Sequence, residues 1–286
     1  RVHGDIFNRD KVWGKTSVEK EETMIISSSS SRPQVTAFQT NLAFLPHYQR
    51  VWQNAAHLCC ATSYTVNRSA FRVTEASQED ELYAAAKLRI RSFHNFLPST
   101  YGIEDHKKYM AEREYEAIKL RISGNIPAFK KVSCINATIP FSELSNLLSG
   151  EDELLNQFKY EGGGEKRVVI GSLDVNQCLR LPDEITGKKP EGIGADFARA
   201  YLSNVCVAKE LQRNGVAKEL IERSKIVARQ WGVTDLYVHV AVDNEAARKL
   251  YAKSGFVYEN DEPLWQARHL NRPRRILLWM GIGCLV

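Results

Sequence analysis

Residues 204–231, NVCVAKELQRNGVAKELIERSKIVARQW, constrain the fold more than any other stretch of the sequence. They begin as an apolar strand and end as a helix that places Val216, Leu220, Val227 and Trp231 on one stripe. The connecting loop offers a glycine but no Ser, Thr or Asp to cap the first free N–H groups of the helix. A bound anion would satisfy those groups instead.

The composition of the loop fits a diphosphate. Gly215 lets the backbone approach a ligand closely, and the small side chain of Ala217 leaves room beside the next turn of the helix. Arg213 and Lys218 add positive charge beside the free N–H groups. A single glycine between a strand and a helix is also common in turns that bind nothing, so the loop alone leaves both interpretations open.

The rest of the chain mixes strands and helices, and the strand–helix–strand unit over 197–242 predicts an α/β fold. Strands are predicted at 71–77, 132–139, 167–175, 197–207, 235–242 and 274–282, and helices at 77–93, 104–124, 215–231 and 244–255. Residues 141–160 look partly helical. The glycine-rich segment 161–166 is predicted to be a flexible break, and 181–196 and 262–275 to be loops.

Composition excludes several classes of function. With 43% hydrophobic residues among 286, the chain can bury a full core, and its net charge of +5 suits an anionic ligand. It has no basic run with interleaved aromatic residues, so we expect no nucleic-acid partner. No apolar run approaches the roughly 20 residues that span a bilayer, so we expect no membrane segment. The six cysteines form no C-x-x-C pair, which argues against a metal site or a disulfide framework.

The front of the chain reads as a targeting segment. Residues 1–23 precede a methionine and are an uncertain upstream segment. Residues 24–68 are predicted to be a disordered transit peptide, because the stretch 23–74 contains SSSSS and several arginines but no Asp or Glu. The sequence LCCA at 58–61 resembles a plastid processing site. A plastid destination is favoured over the mitochondrion, and a plain disordered tail is the alternative to a transit peptide.

Two motifs resemble the signatures of the GNAT acyl-CoA N-acetyltransferases. VAKELQRNGVA at 207–217 is similar to Q/R-x-x-G-x-G/A, and DNEAARKLYAKSGF at 243–256 is similar to N-x-x-A-x-x-x-Y-x-x-x-G-F. They occur in the right order and are separated by a helix and a strand. The resemblance is firm over 167–258 and looser over 71–160, and it is strongest to plant plastid enzymes that acetylate protein N-termini and lysines.

The resemblance implies a GNAT domain over 69–286, with a longer segment than the family core at about 125–165. The mixed central sheet would be flanked by helices and splayed between the strands at 197–207 and 235–242, with acetyl-CoA as co-substrate in the splay. No metal is implied. The implied cofactor-binding residues lie on the strand edge, in the loop and on the next helix: Val205, Cys206, Val207, Arg213, Asn214, Gly215, Val216, Ala217, Lys218, Asn244, Glu245, Ala246 and Tyr251.

Three side chains are implied to move protons. Tyr251 occupies the family's tyrosine position and would protonate the leaving sulfur, although it could equally be a core aromatic residue. His239 and Tyr201 lie on the two splayed strands and resemble the water-mediated base pair of one branch of the N-terminal acetyltransferases. An ordinary histidine pKa of about 6.5 suits that task, whereas a purely structural histidine is the alternative.

The predicted reaction is direct attack of an amine on acetyl-CoA in a ternary complex. Protein N-terminal α-amines, with pKa values of about 7.7–8.0, are preferred over lysine ε-amines at about 10.4, because deprotonating lysine costs roughly 3 kcal/mol more. An arylalkylamine or polyamine acetyltransferase and a non-catalytic CoA-binding module are the alternatives. The sequence leaves the oligomeric state open.

The acceptor groove is predicted at 262–275, between the last strands, where Trp265, Arg268 and His269 could line it. A surface loop anchored by Trp265 is the alternative interpretation.

Overall fold

The computed structural model describes residues 64–97, 99, 101–127, 129–145, 157–178 and 198–283, which belong to one compact unit of the chain. The predicted upstream segment, most of the predicted transit peptide and the loop 181–196 lie outside the described residues. The strands are β1 Arg72–Glu75, β2 Phe129–Pro140, β3 Lys159–Gly162, β4 Glu165–Cys178, β5 Arg199–Val207, β6 Asp235–Ala241, β7 Val257–Asp261 and β8 Arg275–Gly281. The helices are α1 Glu79–Phe93, α2 Ile103–Ile122, α3 Phe141–Ser145, α4 Val216–Gln230, α5 Glu245–Lys253 and α6 Leu264–His269.

The strands form one mixed sheet in the order β1-β2-β4-β5-β6-β8-β7, with β3 paired to β4. The β5–β6 pair is parallel, and every other pairing in the described sheet is antiparallel. Strand β4 is buried along nearly its whole length, which fits a central strand covered on both faces. This arrangement confirms the predicted α/β class.

Helices cover both faces of the central strands. Asp174 of β4 faces α1 and α2, where the guanidinium of Arg89 contacts its carboxylate. Gly171 of the same strand faces α4, and a Cβ there would lie 3.0 Å from both Leu220 and Val216. The glycine therefore lets α4 pack closely against the sheet.

A buried ion network joins α1, α2 and the sheet. Arg89 donates to both Asp174 oxygens at 3.0 and 2.7 Å and to Glu114 at 3.0 Å, and Arg121 donates to Asp174 at 3.1 Å. Burial alone would raise the pKa of Asp174, but Arg89 and Arg121 hold it below its usual range. The same carboxylate accepts a 2.9 Å hydrogen bond from Asn204 of β5, which adopts a left-handed backbone with φ 55°. The network therefore fixes the backbone at the point where β5 departs from regular geometry.

Three segments differ from the predictions. The glycine-rich segment 161–166 is a hairpin turn, because Gly163 and Gly164 both have positive φ and join β3 to β4. The predicted loop 262–275 contains α6, and the edge strand β7 precedes it. Residues 64–68, assigned to the disordered transit peptide, pack against the domain, and Val66 is buried in the core.

Candidate active site

The sheet opens between β5 and β6, as predicted. Arg199–Leu202 pairs with Asp235–Val238, and the pairing then stops while β6 continues beside β8. Beyond Leu202, β5 pairs only with β4 in the described sheet, and its register shifts between Ser172 and Asp174. The free edge of Ser203–Val207, which includes Val205 and Cys206, can therefore take an extended ligand as though it were an added strand.

The start of α4, called the cradle below, has a backbone geometry that suits an anion. Gly215 is the N-cap, with φ 81° and ψ −1°, and no side chain caps the helix. The first N–H groups of the helix, at Val216, Ala217 and Lys218, have no partner one turn earlier, so they are available to a ligand. Among the described residues beyond its chain neighbours, a Cβ on Gly215 would meet only the Nε of Arg68, at 3.8 Å, so the space in front of the cradle is open in that part of the structure.

Some side chains around the cradle are charged and exposed, and others pack or form hydrogen bonds within the fold. Arg213 and Lys218 are exposed, and Val216 is buried in the core. The Asn214 amide donates to the Tyr64 carbonyl at 2.7 Å and accepts from the Val66 N–H at 2.9 Å. Asn214 therefore holds the N-terminal segment with its side chain, and only its backbone remains for the ligand.

The start of α5, the third predicted contact with CoA, lies at the surface. Asn244 caps the helix by accepting from the Ala247 N–H at 3.0 Å. Glu245 forms an exposed ion pair with Lys249 at 3.3 Å, and Ala246 is exposed. Their predicted contact with the CoA arm stays a prediction.

Tyr201 and His239 meet at the splay. The Tyr201 Oη lies 2.7 Å from the His239 Nδ1, a direct hydrogen bond. The two predicted base residues are thus in direct contact, and the predicted part of water in their action stays a prediction. The parallel register sets Tyr201 beside Tyr237, and His239 follows two residues later on the same face, within reach of the phenol.

His239 is not the ordinary histidine that the sequence suggested. Its Nε2 is buried and has no hydrogen-bond partner in the described part of the chain. Burial lowers the pKa of His239 well below 6.5, and the positive charges of Arg275 and Arg272 lower it further. The imidazole is therefore neutral across the physiological range.

Tyr251 lies on the inner side of α5, with 5% of its surface exposed. Its ring makes an edge-to-face contact with Phe256 at 5.5 Å, so part of its role is that of a core aromatic residue. No hydrogen bond joins its hydroxyl to any residue that the structure describes. Burial raises the pKa of Tyr251 above its usual range, and Tyr201 raises it further. The phenol thus remains protonated, which is the form that can donate a proton.

The segment 262–275 is built around a buried carboxylate. Glu262 is fully buried, forms a two-oxygen ion pair with Arg272, and accepts a 2.9 Å hydrogen bond from the Arg275 N–H. The predicted anchor, Trp265, is instead 69% exposed on α6. Of the residues of α6 only Ala267 is buried, and the indole of Trp265 lies at the surface.

The basic residues near the imidazole are not the predicted ones. Arg268 and His269 are exposed on α6, whereas Arg272 and Arg275 influence the charge of His239. Arg275 pairs with Ala241 on β6, two residues beyond His239. The sequence RPRR at 272–275 could have indicated that Arg272 and Arg275 lie near His239 only if the pairing of β8 with β6 had been known.

Comparison with known proteins agrees with this arrangement. A sequence profile described as "Acetyltransferase (GNAT) family" matches residues 158–256. GCN5-related N-acetyltransferase 7, chloroplastic, of Arabidopsis thaliana is 58% identical over 228 residues, covering 80% of this chain and 81% of the relative. GCN5-related N-acetyltransferase 6, chloroplastic, of the same plant is 29% identical over 194 residues, covering 65% and 61%. N-alpha-acetyltransferase 30 of Schizosaccharomyces pombe is 33% identical over 58 residues, covering 20% and 39%.

The open edge of β5 and the start of α4, which no side chain caps, fit an enzyme that transfers an acyl group from CoA to an amine. The chain belongs to the GCN5-related N-acetyltransferase family, GNAT, and uses acetyl-CoA as its donor. Its similarity to chloroplastic relatives confirms the predicted plastid location. Among the described residues there is no cluster of His, Cys, Asp and Glu that could hold a metal ion. Nor does that part of the chain contain a helix long and apolar enough to cross a membrane.

Proposed function

We propose that this enzyme acetylates protein N-terminal α-amines, and secondarily lysine ε-amines, by direct attack on acetyl-CoA. The observation that carries the proposal is the Tyr201–His239 hydrogen bond at the splay. The phenol oxygen can take a proton from the attacking amine while His239 Nδ1 accepts the phenol's own proton. A neutral imidazole is the form needed for this relay.

The acidity of the acceptor decides the order of preference. An imidazole whose pKa lies below 6.5 is a weak base. It suffices for an α-amine with a pKa of about 7.7–8.0, half of which is neutral near pH 8. A lysine at about 10.4 needs roughly 3 kcal/mol more, so desolvation in the groove must supply the difference. We therefore place lysine second.

Direct attack is favoured over an acetylated enzyme. Cys206 lies on the free edge of β5, where a thiol nucleophile would have to stand, but burial raises its pKa to about 11. Only the thiolate attacks a thioester effectively, so this cysteine is a poor nucleophile at the working pH. The amine itself is the nucleophile in the reaction we propose.

The charge around the acceptor side argues against a polyamine. Arg272 and Arg275 lie close enough to His239 to lower its pKa, and the buried Glu262 faces them rather than an acceptor. A polycation would require an acidic pocket. The similarity of a short stretch to N-alpha-acetyltransferase 30 also supports a peptide α-amine as acceptor.

The test of this function is acetylation of a peptide library with free α-amines and free lysines, read by tandem mass spectrometry. We expect α-acetylated peptides to predominate at pH 7.5, with lysine products increasing as the pH rises. An excess of ε-acetyl products at pH 7.5 would contradict the preference. Transfer to spermidine or tryptamine with no transfer to peptides would replace the proposal by the small-amine alternative.

The pH profile follows from the lowered pKa of His239. Because the imidazole is already neutral at pH 6, kcat/KM on an α-amine peptide should show no inflection near 6.5. In His239→Ala, which depends on amine that is already neutral, it should rise with pH until the amine is deprotonated near 7.7–8.0. His239→Ala should lose most activity at low pH, where little amine is spontaneously neutral, and less above pH 8.

The measurement is kcat/KM between pH 5.5 and 9 for both proteins. A wild-type inflection near 6.5 that disappears in His239→Ala would show that the histidine titrates normally. An equal fractional loss at every pH would make His239 a structural residue.

We also infer that residues 24–60 act as a plastid transit peptide, removed at the LCCA sequence. The acid-free composition supports this inference, and so does the packing of Tyr64 and Val66 against the domain, which leaves the processing site only a few residues upstream. A fusion of residues 24–75 to a fluorescent protein should enter plastids and become shorter. A fusion protein that keeps its full length and stays in the cytosol would refute the inference.

A further inference from the structure

We infer that Arg68, which lies outside both family motifs, binds the diphosphate of CoA. Its Nη2 forms an ion pair with Glu219 in the first turn of α4. Its Nε lies 3.8 Å from the position of a Cβ on Gly215, at the mouth of the cradle. The guanidinium therefore stands beside the free N–H groups at the helix start, where a diphosphate would lie.

Arg68 is held there by the N-terminal segment. Asn214, in the cradle loop itself, binds the carbonyl of Tyr64 and the N–H of Val66, and the Tyr64 N–H donates to the Glu210 carbonyl at 3.2 Å. Val66 is buried with 6% of its surface exposed. These contacts anchor the segment beside the cradle, and they bring the backbone of Arg68 next to the start of α4.

The charges near the cradle give Arg68 a specific task. Glu219 places a carboxylate one turn into α4, where it opposes an anion at the helix start. Arg68 offsets that charge, and 60% of its side chain remains exposed. Arginine is suited to the task because its planar group can donate to a carboxylate and to a phosphate at the same time.

The test is calorimetric titration with CoA and with dephospho-CoA, which keeps the diphosphate and lacks the 3′-phosphate. Arg68→Ala should weaken binding of both about fivefold to tenfold, the scale of a partly exposed charged contact. Arg68→Lys should recover part of the loss. Arg72→Ala, which removes an exposed arginine four residues away, should leave both affinities unchanged. No acceptor is needed, so the outcome is independent of the acceptor preference proposed above.

A double variant separates direct binding from simple neutralisation of Glu219. If Arg68 contacts the diphosphate, Arg68→Ala combined with Glu219→Gln should still bind CoA more weakly than Glu219→Gln alone. Equal affinity of those two proteins would overturn the inference, and so would wild-type affinity in Arg68→Ala. A loss with CoA but not with dephospho-CoA would move the contact to the 3′-phosphate and overturn the assignment to the diphosphate.

Discussion

Replacing Gly215 by glutamate is expected to abolish binding of acetyl-CoA. The residue caps α4 with φ 81°, and among the described residues beyond its chain neighbours a Cβ there would come within 4 Å only of Arg68. A glutamate there would place a carboxylate at the N–H groups that bind the diphosphate and would offer Arg68 a competing anion. Placing a carboxylate against the negative diphosphate costs several kcal/mol, so the affinity for acetyl-CoA should fall by more than about a hundredfold.

Two variants control for strain in this experiment. Gly164→Glu adds the same side chain at a glycine with the same φ of 81°, in the open turn between β3 and β4, and should bind CoA normally. Gly215→Ala adds only the cost of a left-handed alanine, about 1–2 kcal/mol of stability, and should weaken binding less than the glutamate does. Calorimetry gives the affinities, and thermal melting shows whether each protein folds. A folded Gly215→Glu protein with wild-type affinity would refute the cradle.

The central part of the fold could be predicted because periodicity and motif coincide there. The strand 197–207, the helix 215–231 and the strand 235–242 correspond to β5, α4 and β6 within two residues. The buried stripe of α4 matches the predicted one at Val216, Leu220 and Val227. The absence of a capping side chain, visible in the sequence, is what the structure shows at Gly215.

Elements with little burial could not be predicted in the same way. Strand β7 is an edge strand with Val257 and Tyr258 more than half exposed, so its side chains carry no alternating pattern. Strand β3 is a four-residue strand held by its hairpin to β4. Helix α6 has one buried residue, Ala267, and its position depends on Glu262 binding arginines that follow it in the chain. These elements depend on partners elsewhere in the chain, so the periodicity of the segment itself gives no signal.

Some features of the candidate site could likewise be predicted from the sequence, and others could not. Backbone features at Gly215 and along β5 follow from local sequence. The state of His239 does not, because it depends on burial and on Arg275, which only the β6–β8 register brings near. Asn214 has a motif position that suggests the ligand, yet its side chain is used by a segment about 150 residues earlier. A motif thus locates a residue without stating which of its atoms remain free.

Tyr251→Phe is expected to lower kcat by at least tenfold and by as much as the 10²–10⁴-fold that general acids typically contribute. The change removes only a hydroxyl that makes no hydrogen bond to the described residues, so no hydrogen bond within that part of the chain is lost. The ring keeps its contact with Phe256. Stability and CoA affinity should therefore remain close to those of the wild type. The measurements are kcat at saturating acetyl-CoA, the calorimetric affinity for CoA and the melting temperature.

The control is Tyr258→Phe, which removes the hydroxyl of a tyrosine that is 58% exposed on β7 and should retain full activity. If Tyr251 were only a core aromatic residue, Tyr251→Phe would also be fully active, and the sulfur would then take its proton from water. If kcat and melting temperature fell together, the hydroxyl would be structural. A loss confined to kcat assigns the proton to Tyr251, because neither packing nor donor binding would have changed.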